Sequence, residues 1–173
     1  MHLIINNTIP LDDYNIDSCF NQDLYLGSTS YFPDKHKHFY IDQYGPNDAV
    51  VKAGNQIVEK LKDIDKNFPK KYKLISGCHI IRHHVPGQKL GCIPPHTDRG
   101  LYCGITLFVN KHWEKWWGGW NWLEHEDTKE IIVNWPEYNK CVVIYSPLMH
   151  GCTPVWETDK IRKSFQYFIK QVD

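Results

Sequence analysis

The sequence predicts a mainly β fold, a sandwich or barrel with one helix on its flank. Three observations carry this. A helical stripe of apolar residues occurs once, between Asn47 and about Lys66. After it the apolar period changes to two and stays there through successive short segments. Turn formers separate those segments: Pro86-Gly87, Gly118-Gly119, Pro136, Pro147, Gly151 and Thr158-Asp159.

Residues 1 to 45 alternate short apolar runs with turn formers (Asn6-Asn7, Pro10, Gly27, Pro33, Gly45-Pro46), which reads as two or three short strands. "KHKH" at 35 to 38 reads as a solvated loop. In the helix, Val50, Val51, Ile57, Val58, Leu61 and Ile64 form the apolar stripe, Asn47 or Asp48 can cap the start, and Pro69 follows the end. Strands are then expected over Lys71–Val85, Tyr102–Asn110, Glu130–Trp135, Lys140–Ser146 and Arg162–Val172. "HWEKWWGGWNWL" holds five of the seven tryptophans and reads as a hairpin turning at Gly118-Gly119.

A chain of 173 residues with zero formal charge suits one ordinary domain and gives no electrostatic sign of nucleic acid or an anionic membrane. The N-terminus shows no basic leader, and no apolar run nears the length of a membrane helix, so a soluble, cytoplasmic protein is expected. The six cysteines show no CxxC pair, which favours free thiols; a zinc knuckle of Cys78, His79, Cys92 and Cys103 would match no usual spacing.

Chemistry enters at "IPPHTDRG", residues 93 to 100. In an extended segment His96 and Asp98 project to one face, so both can reach one ion while Thr97 points away. A third ligand must come from a neighbouring strand. His150, in "VVIYSPLMHGCTPV", follows an apolar strand and a proline turn; His112 and His125 lie in the Trp-rich segment, and His36 and His38 in the lysine-bearing loop, which makes them weaker candidates. Two histidines and a carboxylate on one octahedral face suit non-haem Fe(II), with three positions left open. If those positions take a dicarboxylic acid, its far carboxylate needs a buried cation. Arg162 in "RKSFQYFI" qualifies, with Ser164 on the same strand face as a hydroxyl donor.

The ordered set "HIIRHHVPG", "PPHTD", "GITLFVNKHW", "WWGGWNWL", "VVIYSPLMHGCTPV" and "RKSFQYFI" resembles the Fe(II)- and 2-oxoglutarate-dependent dioxygenases, in particular the branch around the prolyl hydroxylases. The likeness runs from about residue 74 to the C-terminus. It implies a double-stranded β-helix (a cupin-like jelly-roll), with residues 71–173 as catalytic core and residues 1–70 as N-terminal strands and flanking helix of the same domain. It also implies that His96, Asp98 and His150 bind Fe(II), that Arg162 and Ser164 hold the distal carboxylate of 2-oxoglutarate, that His84 adds a hydrogen bond to it, and that O2 is the oxidant. His83 and Arg82 compete with His84 for that last place.

The chain departs from the family pattern at three points. The gap from His150 to Arg162 is slightly long, which keeps Lys160 open as an alternative anchor. Phe108 stands where some prolyl hydroxylases have a tyrosine that donates to the same carboxylate. No second arginine follows Arg162, which argues against the nucleic-acid demethylase branch.

Two readings of the tryptophans stand side by side: a packed hairpin, or an aromatic wall with Trp117 and Trp120 beside the iron. Arg99 could meet a substrate carboxylate or phosphate, or form a surface ion pair. The resemblance implies hydroxylation of a C–H bond in a peptide or protein residue, proline among them, or in a small metabolite, with release of succinate and CO2. The alternatives are a non-catalytic jelly-roll metal-binding or scaffold protein, and a cupin-type enzyme working without 2-oxoglutarate, against which Asp98 argues.

Overall fold

Ten strands and two α-helices make up the computed structural model, which describes residues 1–20, 36–40, 49–82, 93–157 and 159–172. In chain order they are β1 (His2–Ile5), α1 (Ile16–Phe20), β2 (His36–Tyr40), α2 (Ala49–Ile64), β3 (Tyr72–Arg82), β4 (Ile93–His96), β5 (Cys103–Phe108), β6 (Asn121–Glu124), β7 (Ile131–Asn134), β8 (Cys141–Tyr145), β9 (His150–Cys152) and β10 (Ile161–Gln171). One sheet has the order β1-β8-β5-β10-β3-β2 and the other β4-β9-β6-β7. All pairings are antiparallel. From β3 onward the chain passes back and forth between the two sheets, with β3, β5, β8 and β10 in one and β4, β6, β7 and β9 in the other. That winding is a double-stranded β-helix, a jelly-roll.

Strand parity divides β10 between two environments. Phe165, Tyr167 and Ile169 face a core shared with α2, where Val50, Ala53, Ile57, Val58 and Leu61 are buried. Arg162 and Ser164, also buried, face into the jelly-roll. A second apolar cluster of Phe108, Leu123, Val142, Ile144 and Leu148 fills part of that interior. The helix stripe differs in detail from the sequence reading. Ala53 and Gly54 are buried where Val51 and Ile64 were expected, and Ile64 is exposed, because the helix lies close enough to the sheet to admit only small side chains at its centre. The expected caps, Asn47 or Asp48, lie outside the described residues, as do Pro86-Gly87 and Cys92. Cys19, Cys78, Cys103, Cys141 and Cys152 are buried and form no disulfide among the described residues. No helix among the described residues is long and apolar enough to cross a membrane.

Two expectations need correction. The segment at 36 to 40 is not a loop but an edge strand, β2, paired with β3; polar and basic residues suit an edge, where they discourage further pairing. The two or three short strands expected over residues 1 to 45 are met by β1 and β2, with a short 3₁₀ turn and α1 over residues 11 to 20. Gly118-Gly119 is not a hairpin tip. The strands on either side, β5 and β6, belong to different sheets, and the actual hairpin joins β6 to β7 through residues 125–130.

Just past α2, Asp65 ties the helix to the large sheet. Its Oδ2 accepts hydrogen bonds from the Tyr102 hydroxyl at 2.6 Å and the Tyr145 hydroxyl at 2.8 Å, and its Oδ1 accepts one from the Asn67 N–H at 2.9 Å. Burial opposes ionisation of this carboxyl, but the three hydrogen bonds outweigh it and hold the pKa below the usual value. A folded-state pKa below the unfolded one contributes stability above about pH 4, which is lost as pH falls through the folded value. Asp65→Asn is therefore expected to lower stability by about 2 kcal/mol at neutral pH. In thermal melts the gap to the parent protein should narrow below about pH 4. A gap that does not change with pH would mean the carboxylate charge is irrelevant.

Candidate metal and anion site

At the edge of the small sheet, β4 pairs with β9 so that His96 stands directly opposite His150. Between the pairs Ile93↔Cys152 and His96↔His150, β4 carries one residue more than β9, a bulge at Pro94-Pro95. Proline has no N–H to give a ladder, so an edge strand with a bulge is where it is tolerated, and the bulge re-aims the residue that follows. The strand ends at His96, and Asp98 lies in the chain that leads into the turn at Arg99-Gly100. The Ser146 hydroxyl donates to the backbone carbonyl of Asp98 at 2.6 Å and so ties this segment to the end of β8.

One nitrogen or oxygen from each of His96, Asp98 and His150 lies within 4.8 Å of the other two. His96 Nε2 is 3.7 Å from Asp98 Oδ1, and His150 Nε2 is 3.5 Å from Asp98 Oδ2. The imidazole centroids are 4.3 Å apart. Neighbouring ligands on an octahedral ion with bonds of about 2.1 Å stand about 3 Å apart, so a small closure would complete a facial set. His150 Nδ1 lies 2.9 Å from the Leu148 carbonyl, which calls for a proton on Nδ1 and turns Nε2 toward Asp98, where it donates to the carboxylate when protonated and would offer its lone pair to a metal. Burial would raise the Asp98 pKa, but the hydrogen bond with His150 and the charges of both imidazoles outweigh it and keep the carboxylate ionised. His150 responds in the opposite sense. Burial would lower its pKa, but the bonds to Asp98 and to the Leu148 carbonyl raise it. The donor set thus fits a divalent cation.

Gly104 on β5 makes room for Asp98: a Cβ there would stand 3.0 Å from Asp98 Oδ2. Gly104→Ala is expected to weaken Mn(II) binding about tenfold by displacing that oxygen, as changes beside metal ligands commonly do. The melting temperature should hardly move. Titration followed by the Mn(II) resonance signal checks this; unchanged affinity would mean Asp98 does not bind the ion.

The other end of the interior carries a cation. Arg162 is 1% exposed, and its guanidinium carbon lies 5.0 Å from the centre of the Phe108 ring. Nη1 donates to Cys152 Sγ at 3.0 Å and Nη2 to Asn121 Oδ1 at 2.9 Å, while Nε has no partner among the described residues. Burial lowers the Arg162 pKa, though not enough for a guanidinium to lose its charge. No carboxylate among the described residues compensates this charge. Cys152 is two residues beyond His150 on the same strand face, so the guanidinium lies about 7 Å along β9 from the ligand cluster. Ser164 Oγ accepts from Gln166 Nε2 at 3.2 Å, and Gln166 Oε1 accepts from Thr106 Oγ1 at 3.0 Å, a polar line on the inner face of the large sheet.

Gly119 lies against the Arg162 stem, and Gly118 beside it packs on the chain at Pro154. Both have positive φ, +75° and +68°. A Cβ on Gly118 would stand 2.2 Å from the Pro154 carbonyl oxygen, and one on Gly119 would stand 3.1 Å from Arg162 Cδ. Gly119 thus lets the backbone approach the arginine stem, and Gly118 the Pro154 carbonyl. Lys160, the alternative anchor, lies outside the interior with its Nζ 4.3 Å over the Trp117 ring.

The tryptophans do not line the ligand cluster. Trp117 packs edge-on against Trp113 and His112, and Trp120 against Trp156. Trp122 lies on Gly151 on the outer face of the small sheet. Trp117 and Trp120 therefore sit past the Arg162 end, because the crossing from β5 to β6 enters the small sheet there and not at the histidine end. Arg99 is exposed on the turn after Asp98, at the rim of the cluster. His84 and His83 lie outside the described residues. Sequence reasoning missed Asn121 and Cys152 as partners of the guanidinium. Parity with Leu123 and His150 was the available signal, but only the inter-sheet packing shows which inward residues meet.

No protein-family model matches the chain, and no curated protein matches it. Solved structures do. A Pseudomonas putida prolyl-4-hydroxylase superposes with a TM-score of 0.74 at 15% identity, covering 99% of this chain and 93% of that one. A Trichoplax adhaerens prolyl hydroxylase, in complex with a peptide fragment of the hypoxia-inducible factor oxygen degradation domain, gives 0.65 at 15% identity, covering 98% and 83%. The non-haem α-ketoglutarate-dependent epimerase SnoN of nogalamycin biosynthesis gives 0.68 at 9% identity, covering 98% and 77%. The chain has the jelly-roll fold of the 2-oxoglutarate/Fe(II) oxygenases, the prolyl hydroxylases among them.

Proposed function

We propose that the protein is a 2-oxoglutarate- and Fe(II)-dependent oxygenase that hydroxylates a C–H bond of a peptide or protein residue, proline first among them, or of a small metabolite. The observation that carries the reading is the buried Arg162 guanidinium, without a carboxylate partner among the described residues, bonded to Cys152 two residues along β9 from His150 and its neighbours His96 and Asp98. A buried cation of this kind calls for an anion. Two residues of extended strand roughly match the reach of a five-carbon diacid that meets a metal at one end and a guanidinium at the other.

Fe(II) with 2-oxoglutarate and O2 supplies oxidative decarboxylation to succinate and CO2, coupled to hydroxylation of the substrate. His96, Asp98 and His150 would hold the metal on one face. The Leu148 carbonyl keeps His150 in the tautomer that offers Nε2. Arg162 and Ser164 would hold the distal carboxylate. Val142, Ile144 and Leu148 keep bulk water from the interior.

His96 is the most exposed of the three ligands, at 33%, which supports substrate entry at that end. The peptide carried by the Trichoplax neighbour supports a peptide substrate there. Arg99 on the rim is suited to a substrate anion.

Anaerobic mixing of the protein with Fe(II) and 2-oxoglutarate tests the reading. The expected result is a weak visible charge-transfer band that neither addition produces alone. Its absence in folded protein would overturn the proposal and favour a metal-binding scaffold. Succinate release against proline peptides, free amino acids and other metabolites then identifies the substrate class.

A further inference from the structure

The donors around the buried guanidinium point to a second residue that recognises the co-substrate. Phe108 stacks on Arg162 and has no hydrogen to give, so help for the arginine must come from elsewhere. Asn121 is buried, and its Oδ1 accepts from Arg162 Nη2. A side-chain amide whose oxygen is held by a guanidinium presents its NH2 on the other side as a donor. Asn121 sits opposite Cys152 in the β6–β9 ladder, so it shares the inner face that carries the cation. Cys152 Sγ, a weak acceptor, is the other partner of the guanidinium. Neither partner carries a carboxylate, so the positive charge is preserved for an incoming anion. An aspartate at 121 would have cancelled it.

We propose that Asn121 is a co-substrate-recognition residue: its carbonyl fixes the Arg162 guanidinium and its amide NH2 donates to the distal carboxylate of the 2-oxo diacid, the role for which Phe108 has no donor. This rests on the co-substrate reading above. It goes beyond it by assigning selectivity for an anion to a neutral amide on β6, a different strand from the arginine.

The test is calorimetric titration of 2-oxoglutarate into Mn(II)-loaded protein without oxygen, comparing the parent with Asn121→Asp and Asn121→Leu. Mn(II) affinity, measured separately, reports an intact fold and ligand cluster. Asn121→Asp is nearly isosteric and can still accept from Arg162, but it removes the donor and pairs the charge internally. It should lower 2-oxoglutarate affinity at least a hundredfold with Mn(II) affinity unchanged. Asn121→Leu should lower it about tenfold. In turnover, Asn121→Leu should raise the KM for 2-oxoglutarate far more than it lowers kcat. If both variants bind 2-oxoglutarate within threefold of the parent, the inference is overturned while the co-substrate reading stands. If the Mn(II)-loaded parent itself binds no 2-oxoglutarate, the co-substrate reading fails and this inference with it. Should Asn121→Leu fail to fold, the aspartate variant decides alone.

Discussion

Replacing Arg162 by methionine should abolish 2-oxoglutarate binding without unfolding the protein. The two effects follow from one fact. A guanidinium 1% exposed and without a carboxylate partner among the described residues bears its desolvation cost with little internal return. Methionine has a similar reach, no charge, and a thioether that packs against Phe108 and Val155. Against this gain stand two lost hydrogen bonds, to Asn121 and Cys152. The orphaned Asn121 carbonyl costs about 1–3 kcal/mol, and relief of the buried charge offsets it. The melting temperature of the ligand-free variant should thus stay within a few degrees of the parent, or rise. Co-substrate affinity should behave otherwise. Removing one partner of a buried, hydrogen-bonded charge pair typically costs about 2–5 kcal/mol, a loss of about 30-fold to several thousandfold. Calorimetry and melting curves on the same samples check both halves. If the arginine were merely structural, the variant would lose stability and its residual affinity would follow the folded fraction. Arg162→Lys separates charge from shape: an ammonium keeps the charge but loses the planar fork, so an intermediate affinity is expected.

How much of this was readable beforehand depends on the range of the interactions involved. The period change after α2 exposed the β-rich half, since alternation along a strand is a local property of sequence. His96, Asp98 and His150 could be named because a proline bulge, a strand end and a turn each leave local marks around them, and Arg162 with Ser164 followed from parity on a single strand. The Trp-rich segment resisted because its fate is not local. Gly118-Gly119 looks like a hairpin tip, yet β5 and β6 pair in different sheets, and Gly119 instead lays backbone on the Arg162 stem while Gly118 meets the Pro154 carbonyl. That in turn carries Trp117 and Trp120 to the far end, away from the histidines. Asn121 and Cys152 were invisible for the same reason. Each is an ordinary inward residue until the sheets close and a guanidinium arrives between them. Phe108, read in the sequence only as a missing hydroxyl, is in fact the ring beneath the guanidinium.

The ligand cluster leads to the other large effect. Asp98→Ala should remove measurable metal binding and with it all metal-dependent turnover, while leaving the fold intact. Among the described residues Asp98 is the one anion between the two imidazoles, 3.5 Å from His150 Nε2 and 3.7 Å from His96 Nε2. A divalent ion bound there without it would meet two neutral nitrogens and water. Neither histidine lies deep in an apolar core, and Asp98 is outside the regular strands, so the sheets do not depend on it. His150 keeps its bond to the Leu148 carbonyl and His96 its place opposite it in the ladder. On the proposed reading, Fe(II) or Mn(II) affinity is expected to fall at least about a hundredfold, and succinate formation at least about a thousandfold, since losing one of three ligands would remove the metal and not just an orienting contact. Asp98→Glu is the more demanding comparison. It restores the charge, but its extra methylene must be accommodated above Gly104, where Oδ2 already leaves no room for a Cβ. Partial metal binding with little turnover is the expected outcome. Full activity in Asp98→Ala would instead place the metal, if the protein uses one, somewhere other than these three residues.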